Sequence, residues 1–337
     1  MKYVEINGKK AAFVAFGSTD FGGSVNESRA RAMLDVYAEM GGNYIDTAHV
    51  YGDFATPRNG ESEKIIGRWM RDAHNRDEIF LSTKGAHHVL GTEPVGRLSR
   101  EELRRDMGES LECLGTDCVD IYWLHRDNPA YSVGEVAENL QELIENGQTK
   151  LIGASNWSVK RIEEFNAYAR SHSLTPFFAN QPQFSLAVQL KPDDPSLVQA
   201  DAEMLEMHKK SKMLMTPYSS QAKGFLTKLD TVGPEGMTDK VLRRFLTEEN
   251  LGIYARAKEV GQRIGISVGA VALLWLTVQS FPLVPLVGAS RPEQLETLRE
   301  AMNATLSAED RDYIRKICDK YKQRIGTANP CAVPIFL

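Results

Sequence analysis

Four side chains in this 337-residue sequence are spaced so that they could move protons together: Asp46, Tyr51, Lys84 and His125. A carboxylate, a phenol, an ammonium and an imidazole supply an acid, a base and a cation able to bias either. Asp46 and Tyr51 share the stretch Asp46-Thr47-Ala48-His49-Val50-Tyr51-Gly52, short enough for the phenol to fold back over the carboxylate. Lys84 closes the apolar run 79–84, and His125 closes the run 119–125. Taken singly, a strand-end Asp usually caps a helix and a strand-end Lys usually finds an ion pair. Three consecutive strands ending in ionisable groups, with a tyrosine in reach, point instead to a reaction site. Lys84 alone would also suit a Schiff-base aldolase, but that reading leaves Ser155, Asn156, Gln181 and Tyr218 without a purpose.

Such a convergence needs strands whose ends meet. Eight short apolar runs, at 13–16, 44–46, 79–84, 119–125, 151–155, 178–181, 213–218 and 283–287, alternate with amphipathic stretches, the pattern of βα units around a parallel sheet. Helices are predicted over 27–40, stopped by Gly41-Gly42, over 99–114, opened by a Ser99/Glu102 capping box, and over 133–146, stopped by Gly147. An opening hairpin, 3–6 and 9–13, turns at Asn7-Gly8. The glycine fingerprint of a doubly wound dinucleotide fold is missing, since the first strand runs into Phe16-Gly17-Ser18-Thr19-Asp20. The expected architecture is α/β, a (β/α)8 TIM barrel, with the site at the C-terminal ends of the strands. The whole chain, 1–337, reads as one domain: hairpin 3–13, barrel to about residue 305, then a helix and tail over 306–337. Two stretches, 182–195 and 224–248, read as functional loops.

Composition narrows the partners. With 42% hydrophobic and 25% charged residues the chain can bury a large core, and a net charge of −5 gives nucleic acid or an anionic membrane no electrostatic hold. Its longest apolar stretch, 268–278, is too short to span a bilayer and is expected to be a buried helix. Four cysteines, Cys113, Cys118, Cys318 and Cys331, form no CxxC pair, and the start MKYVEINGKK lacks a signal-like apolar run, so reduced thiols in a cytoplasm are expected. No metal site is expected: His87 and His88 are adjacent, but they should point in different directions and no acid or cysteine joins them.

The residues carry a family resemblance. Gly42-Asn43-Tyr44-Ile45-Asp46-Thr47-Ala48-His49-Val50-Tyr51-Gly52 resembles the signature of aldo-keto reductases, and the segments ending at Lys84 and around His125 resemble that family's next two catalytic blocks. Gly153–Trp157, Asn180–Pro182, Thr216–Ser219 and Val287–Leu295 look like its cofactor-binding blocks, in order. The resemblance implies NADPH-dependent reduction of a small-molecule carbonyl or sugar, with Asp46, Tyr51, Lys84 and His125 as the catalytic tetrad. A free phenol has a pKa of about 10, and a neighbouring cation favours its ionised form, so Lys84 would assist Tyr51 as proton donor. The resemblance also implies cofactor contacts from Ser18, Asp46, Ser155, Asn156, Gln181, Tyr218, Ser219, Gly288, Ser290, Arg291 and Gln294. Amide and hydroxyl groups suit the carboxamide, the Tyr218 ring suits the nicotinamide face, and the start of a helix at 288–290 with Arg291 suits phosphate.

Departures from the family pattern are Asp20, near the mouth, and Glu296-Thr297 where an adenine-holding Glu-Asn pair is common. The mouth is expected to mix Trp123, Trp157, Phe54 and the terminal Ile335-Phe336 with Asp20, His87 and Arg126, and loops 86–97, 224–248 and 325–337 would set the substrate. A binding module that senses NADPH, resembling potassium-channel β subunits, is the alternative function. The oligomeric state is not legible.

Overall fold

The computed structural model describes residues 1–54, 60–190 and 194–316. Two strands, β1 (Tyr3–Ile6) and β2 (Lys9–Ala12), pair antiparallel about Asn7 (φ 50°) and Gly8 (φ 76°), the left-handed pair that an Asn-Gly hairpin turn requires. Lys9 donates from Nζ to the Ile79 carbonyl at 2.6 Å and pairs with Asp120 at 3.2 Å. Both partners lie at the starts of strands, so the hairpin covers the end of the barrel opposite the predicted site.

Chain order then runs β3 (Ala15–Gly17), α1 (Glu27–Glu39), β4 (Tyr44–Asp46), α2 (Glu61–Ala73), β5 (Phe80–Gly85), α3 (Arg100–Leu114), β6 (Val119–Leu124), α4 (Val133–Glu145), β7 (Thr149–Ser155), α5 (Val159–Ser171), β8 (Ala179–Gln181), α6 (Ala202–Ser211) and β9 (Leu214–Met215). After them come α7 (Phe225–Thr231), α8 (Asp239–Phe245), α9 (Glu248–Ile264), α10 (Val268–Thr277), β10 (Leu286–Val287), α11 (Glu296–Asn303) and α12 (Ala308–Ile314). The eight parallel strands are ordered β10-β3-β4-β5-β6-β7-β8-β9. The two ends of that row meet through a Met215↔Leu283 bridge and the bonds Val284 N to Met215 O (2.9 Å) and Leu286 N to Pro217 O (3.0 Å), in keeping with the (β/α)8 expectation.

The expected Ser99/Glu102 capping box forms, with both reciprocal bonds present. Asn26 and Ser132 also cap α1 and α4. The predicted seventh and eighth strands are shorter than their apolar runs because Pro217 and Pro285 offer no N–H to a ladder. Stretch 224–248 is not an open loop; it folds into α7 and α8. The run 268–278 forms α10, buried over Val268–Leu276. No single helix among the described residues is long and apolar enough to cross a membrane.

Candidate active site

Parallel register sets the height of each side chain. Asp46 pairs with Ser82, and Lys84, two residues further along β5, pairs with Trp123, so Asp46, Ser82 and Lys84 share the inner face near the upper rim. Backbone bonds from Thr47 N to Ser82 O and from His49 N to Lys84 O, each 2.9 Å, lay the post-β4 segment along β5 and return Tyr51 above Lys84. Gly52 follows at φ 94°, where a Cβ would lie 3.1 Å from the Phe21 carbonyl oxygen; the turn after Tyr51 needs glycine.

The four predicted catalytic residues come together. Lys84, only 1% exposed, bonds to the Asp46 carboxylate and to the Thr47 carbonyl (2.7 Å), and its Nζ lies 4.8 Å from the centroid of the Tyr51 ring. Burial alone would lower the Lys84 pKa, but Asp46 and Tyr51 outweigh it and hold the ammonium above its usual value. Asp46 also accepts from Ser82 Oγ (2.7 Å) and Gln181 Nε2 (3.2 Å), which fixes the carboxylate from three sides. His125 meets Tyr51 edge-on with centroids 5.7 Å apart. Burial, then His87 and Arg126, push its pKa well below the histidine range, so the ring is neutral at pH 7. Its Nδ1 is sealed, without a partner among the described residues. A buried bare N–H costs more than a buried lone pair, so the proton belongs on Nε2, which is not sealed.

The predicted cofactor residues form two groups. Ser155, Asn156, Gln181 and Tyr218 follow one another around the rim. Ser155 Oγ donates to the Gln181 carbonyl (2.8 Å), and Asn156 is saturated: Oδ1 accepts from Tyr218 Oη (2.7 Å) and Val198 N (3.0 Å), while Nδ2 donates to the His125 carbonyl and Ser155 Oγ. Gln181 spends Nε2 on Asp46 and Thr216, leaving its side-chain Oε1 without a partner among the described residues, the acceptor a carboxamide NH2 needs. Tyr218 lies beyond the end of β9 with its ring partly exposed, and Ser219 takes a left-handed backbone (φ 51°). Ser18 is buried, its hydroxyl bonded to the Asp46 carbonyl (3.2 Å) and to Ser62 (2.8 Å).

In the second group, Gly288 and Arg291 are exposed and Ser290 is partly so. No helix opens at 288–290; a 3-10 turn over Pro292–Leu295 precedes α11 because Pro292 cannot donate. The amides of Ser290 (2.7 Å) and Arg291 (3.2 Å) both point at Gln294 Oε1, so a side-chain oxygen stands where two amides would meet an anion. The Arg291 guanidinium has no partner among the described residues. These donor sets fit the two ends of a nicotinamide dinucleotide.

Several expectations about the mouth change. Trp123 and Trp157 are fully buried, and Trp157 packs on Phe165 and Phe177, so both belong to the core. The rings of His87 and His88 do not diverge but stack, centroids 4.1 Å apart. Phe54, 56% exposed, stands 6.5 Å from Tyr51, and Arg126 is buried, donating to the His125 carbonyl (2.9 Å) and Ser196 Oγ (3.0 Å). Residues 325–337, with Cys318 and Cys331, lie outside the described residues. Sequence reading missed Glu63, fully buried under the site and bonded to Thr83, with burial raising its pKa to about 7. Its signal was there: Glu63, Ile66, Gly67 and Met70 form one helical stripe, so the glutamate points inward.

Comparison with known proteins agrees with this geometry. Norsolorinic acid reductase stcV of Emericella nidulans is 29% identical over 318 residues, 90% of this chain and 77% of its own length. Aldo-keto reductase YhdN of Bacillus subtilis is 28% identical over 312 residues, 90% and 88% of the two chains. The crystal structure of the thermostable aldo-keto reductase Tm1743 with the inhibitor epalrestat shares the fold, with a TM-score of 0.70 at 22% identity over 94% of this chain and 99% of that one. The profile of the aldo/keto reductase family matches residues 14–319. The chain therefore belongs to the aldo/keto reductase family, the oxidoreductases that use a nicotinamide cofactor to reduce carbonyl compounds.

Proposed function

We propose that the chain reduces an aldehyde or ketone with NADPH, and oxidises the alcohol in reverse, with Tyr51 as the proton donor. The observation that carries this reading is that the Tyr51 ring is close to both the Lys84 ammonium, 4.8 Å from its centroid, and the His125 ring, 5.7 Å away.

When bound, the cofactor supplies the hydride. The rest falls to side chains. Charge builds on the carbonyl oxygen as its carbon is reduced, and that oxygen must take a proton. Tyr51 delivers it, and Lys84 compensates the phenolate that remains. Asp46 keeps Lys84 charged and aimed. His125, neutral, offers Nε2–H to the same oxygen and fixes its direction.

NADPH is favoured over NADH because the Arg291 guanidinium beside Ser290, unpaired among the described residues, suits a 2′-phosphate. The aryl-alcohol dehydrogenase GME11368 of Pestalotiopsis microspora, 28% identical, carries a name that favours aromatic carbonyls, and the exposed Phe54 ring near Tyr51 suits such a partner. A module that only sensed the cofactor would have no use for a buried Lys84–Asp46 pair beneath Tyr51. Loss of NADPH absorbance with a panel of aldehydes, ketones and aldoses tests the reading. Turnover of at least one class is expected; cofactor binding without turnover of any would contradict it.

A further inference from the structure

His87 stands beside the His125 ring, with one ring nitrogen committed and the other without a partner among the described residues. Its Nδ1 lies 2.9 Å from the His88 carbonyl oxygen, which can only accept, so this nitrogen carries the proton. Burial, and then the nearby Arg126 guanidinium, depress its pKa to about 3, so the ring holds one proton at neutral pH. Nε2 is therefore a lone-pair acceptor. Nothing among the described residues donates to it, and unlike His125 Nδ1 it is not sealed off, although the residue is only 5% exposed.

The ring is also held in place. Arg97 donates from Nε to the His87 carbonyl (2.7 Å) and grips Asp106, which in turn accepts from Ala86 N (2.9 Å). Stacking on His88 and an edge contact with Phe54, centroids 6.1 Å apart, fix the plane. The His87 and His125 centroids are 4.8 Å apart, at an interplanar angle of 66°. Two neighbouring rings thus have opposite roles: His125 donates at Nε2 and His87 accepts at Nε2. A carbonyl oxygen needs the first. A hydroxyl on the next carbon, which places its oxygen roughly 3 Å from the carbonyl oxygen, supplies the hydrogen the second lacks.

From this pairing we infer that His87 is a specificity-determining residue that selects carbonyl substrates bearing a hydroxyl on the carbon next to the carbonyl, accepting that hydroxyl's hydrogen at Nε2. The inference rests on the proposed carbonyl reduction. A site built to accept a substrate O–H discriminates against the analogue that lacks it, because the acceptor would be buried unpaired.

The test compares phenacyl alcohol, its methyl ether and propiophenone. The ether keeps the oxygen's electron withdrawal but carries a methyl in place of the donated hydrogen; propiophenone matches the alcohol in size and lacks the oxygen, so it controls for that added bulk. For the unaltered enzyme with NADPH, kcat/KM should favour the alcohol over the ether by about 10- to 100-fold. His87→Leu should bring that ratio close to one, and His87→Gln, which retains an acceptor, should keep most of it. The ratio is the readout, so a general loss of activity in a variant cancels. Turnover of all three ketones by the unaltered enzyme with no preference for the alcohol would overturn the inference and leave carbonyl reduction standing. A preference that persists in His87→Leu would overturn it too. No turnover of these ketones or of any carbonyl would overturn both.

Discussion

The Lys84 ammonium lies 4.8 Å from the centroid of the Tyr51 ring, while its other contacts are the Asp46 carboxylate and the Thr47 carbonyl. The charge is thus held at a fixed position under the phenol, inside a barrel that excludes water from it.

Replacing that charge should damage catalysis through the phenol. Lys84→Met is expected to lower kcat by roughly 10² to 10⁴ and to change the shape of the pH–rate profile, because the phenolate left after proton transfer loses its counter-charge. The double variant Lys84→Met/Tyr51→Phe should be no worse than Tyr51→Phe alone, since Lys84 acts mainly through Tyr51. Additive losses would show that Lys84 has a separate role.

Cofactor choice should depend on Arg291. Arg291→Ala is expected to weaken NADPH binding by ~1.5 to 3 kcal/mol, the range for a charge-assisted hydrogen bond, and to leave NADH nearly unchanged. Quenching of tryptophan fluorescence measures both constants, and equal losses would refute the 2′-phosphate contact.

Glu63 should make stability depend on pH. Burial raises its folded pKa from the ordinary 4.5 to about 7, against smaller opposing pulls from Thr83, His49, Ser110 and Lys84. A raised folded value means that the stabilisation is complete below about pH 4.5 and is lost as pH climbs through 7. The difference corresponds to at most about 3 kcal/mol. Glu63→Gln, which is never charged, should gain on wild type between pH 5 and pH 8 in thermal unfolding; a constant offset across that range would mean that Glu63 does not titrate there.

Much of this was legible in the sequence wherever local chemistry decides the outcome. The Asn7-Gly8 turn, the Ser99/Glu102 box and the stop at Gly147 depend on residues within a few positions, and each formed as expected. The tetrad was legible because strand ends in a barrel must converge. Trp123 and Trp157 were misplaced because strand-end position does not reveal which face a ring takes; Gly153, where a Cβ would lie 2.3 Å from the Trp123 ring, leaves that ring its room inside. The helices within 224–248 were hidden by their polar surfaces and short length. The role of His87 was invisible because it depends on which ring nitrogen the His88 carbonyl engages.

The central claim is that Tyr51 gives the proton, and Tyr51→Phe tests it most directly when turnover and NADPH affinity are measured on the same preparation. The phenol is proposed to touch the substrate oxygen and not the dinucleotide, so kcat should fall by roughly 10² to 10⁴ with the NADPH dissociation constant unchanged. Full activity with intact NADPH binding would contradict the role of Tyr51 and make His125 the acid.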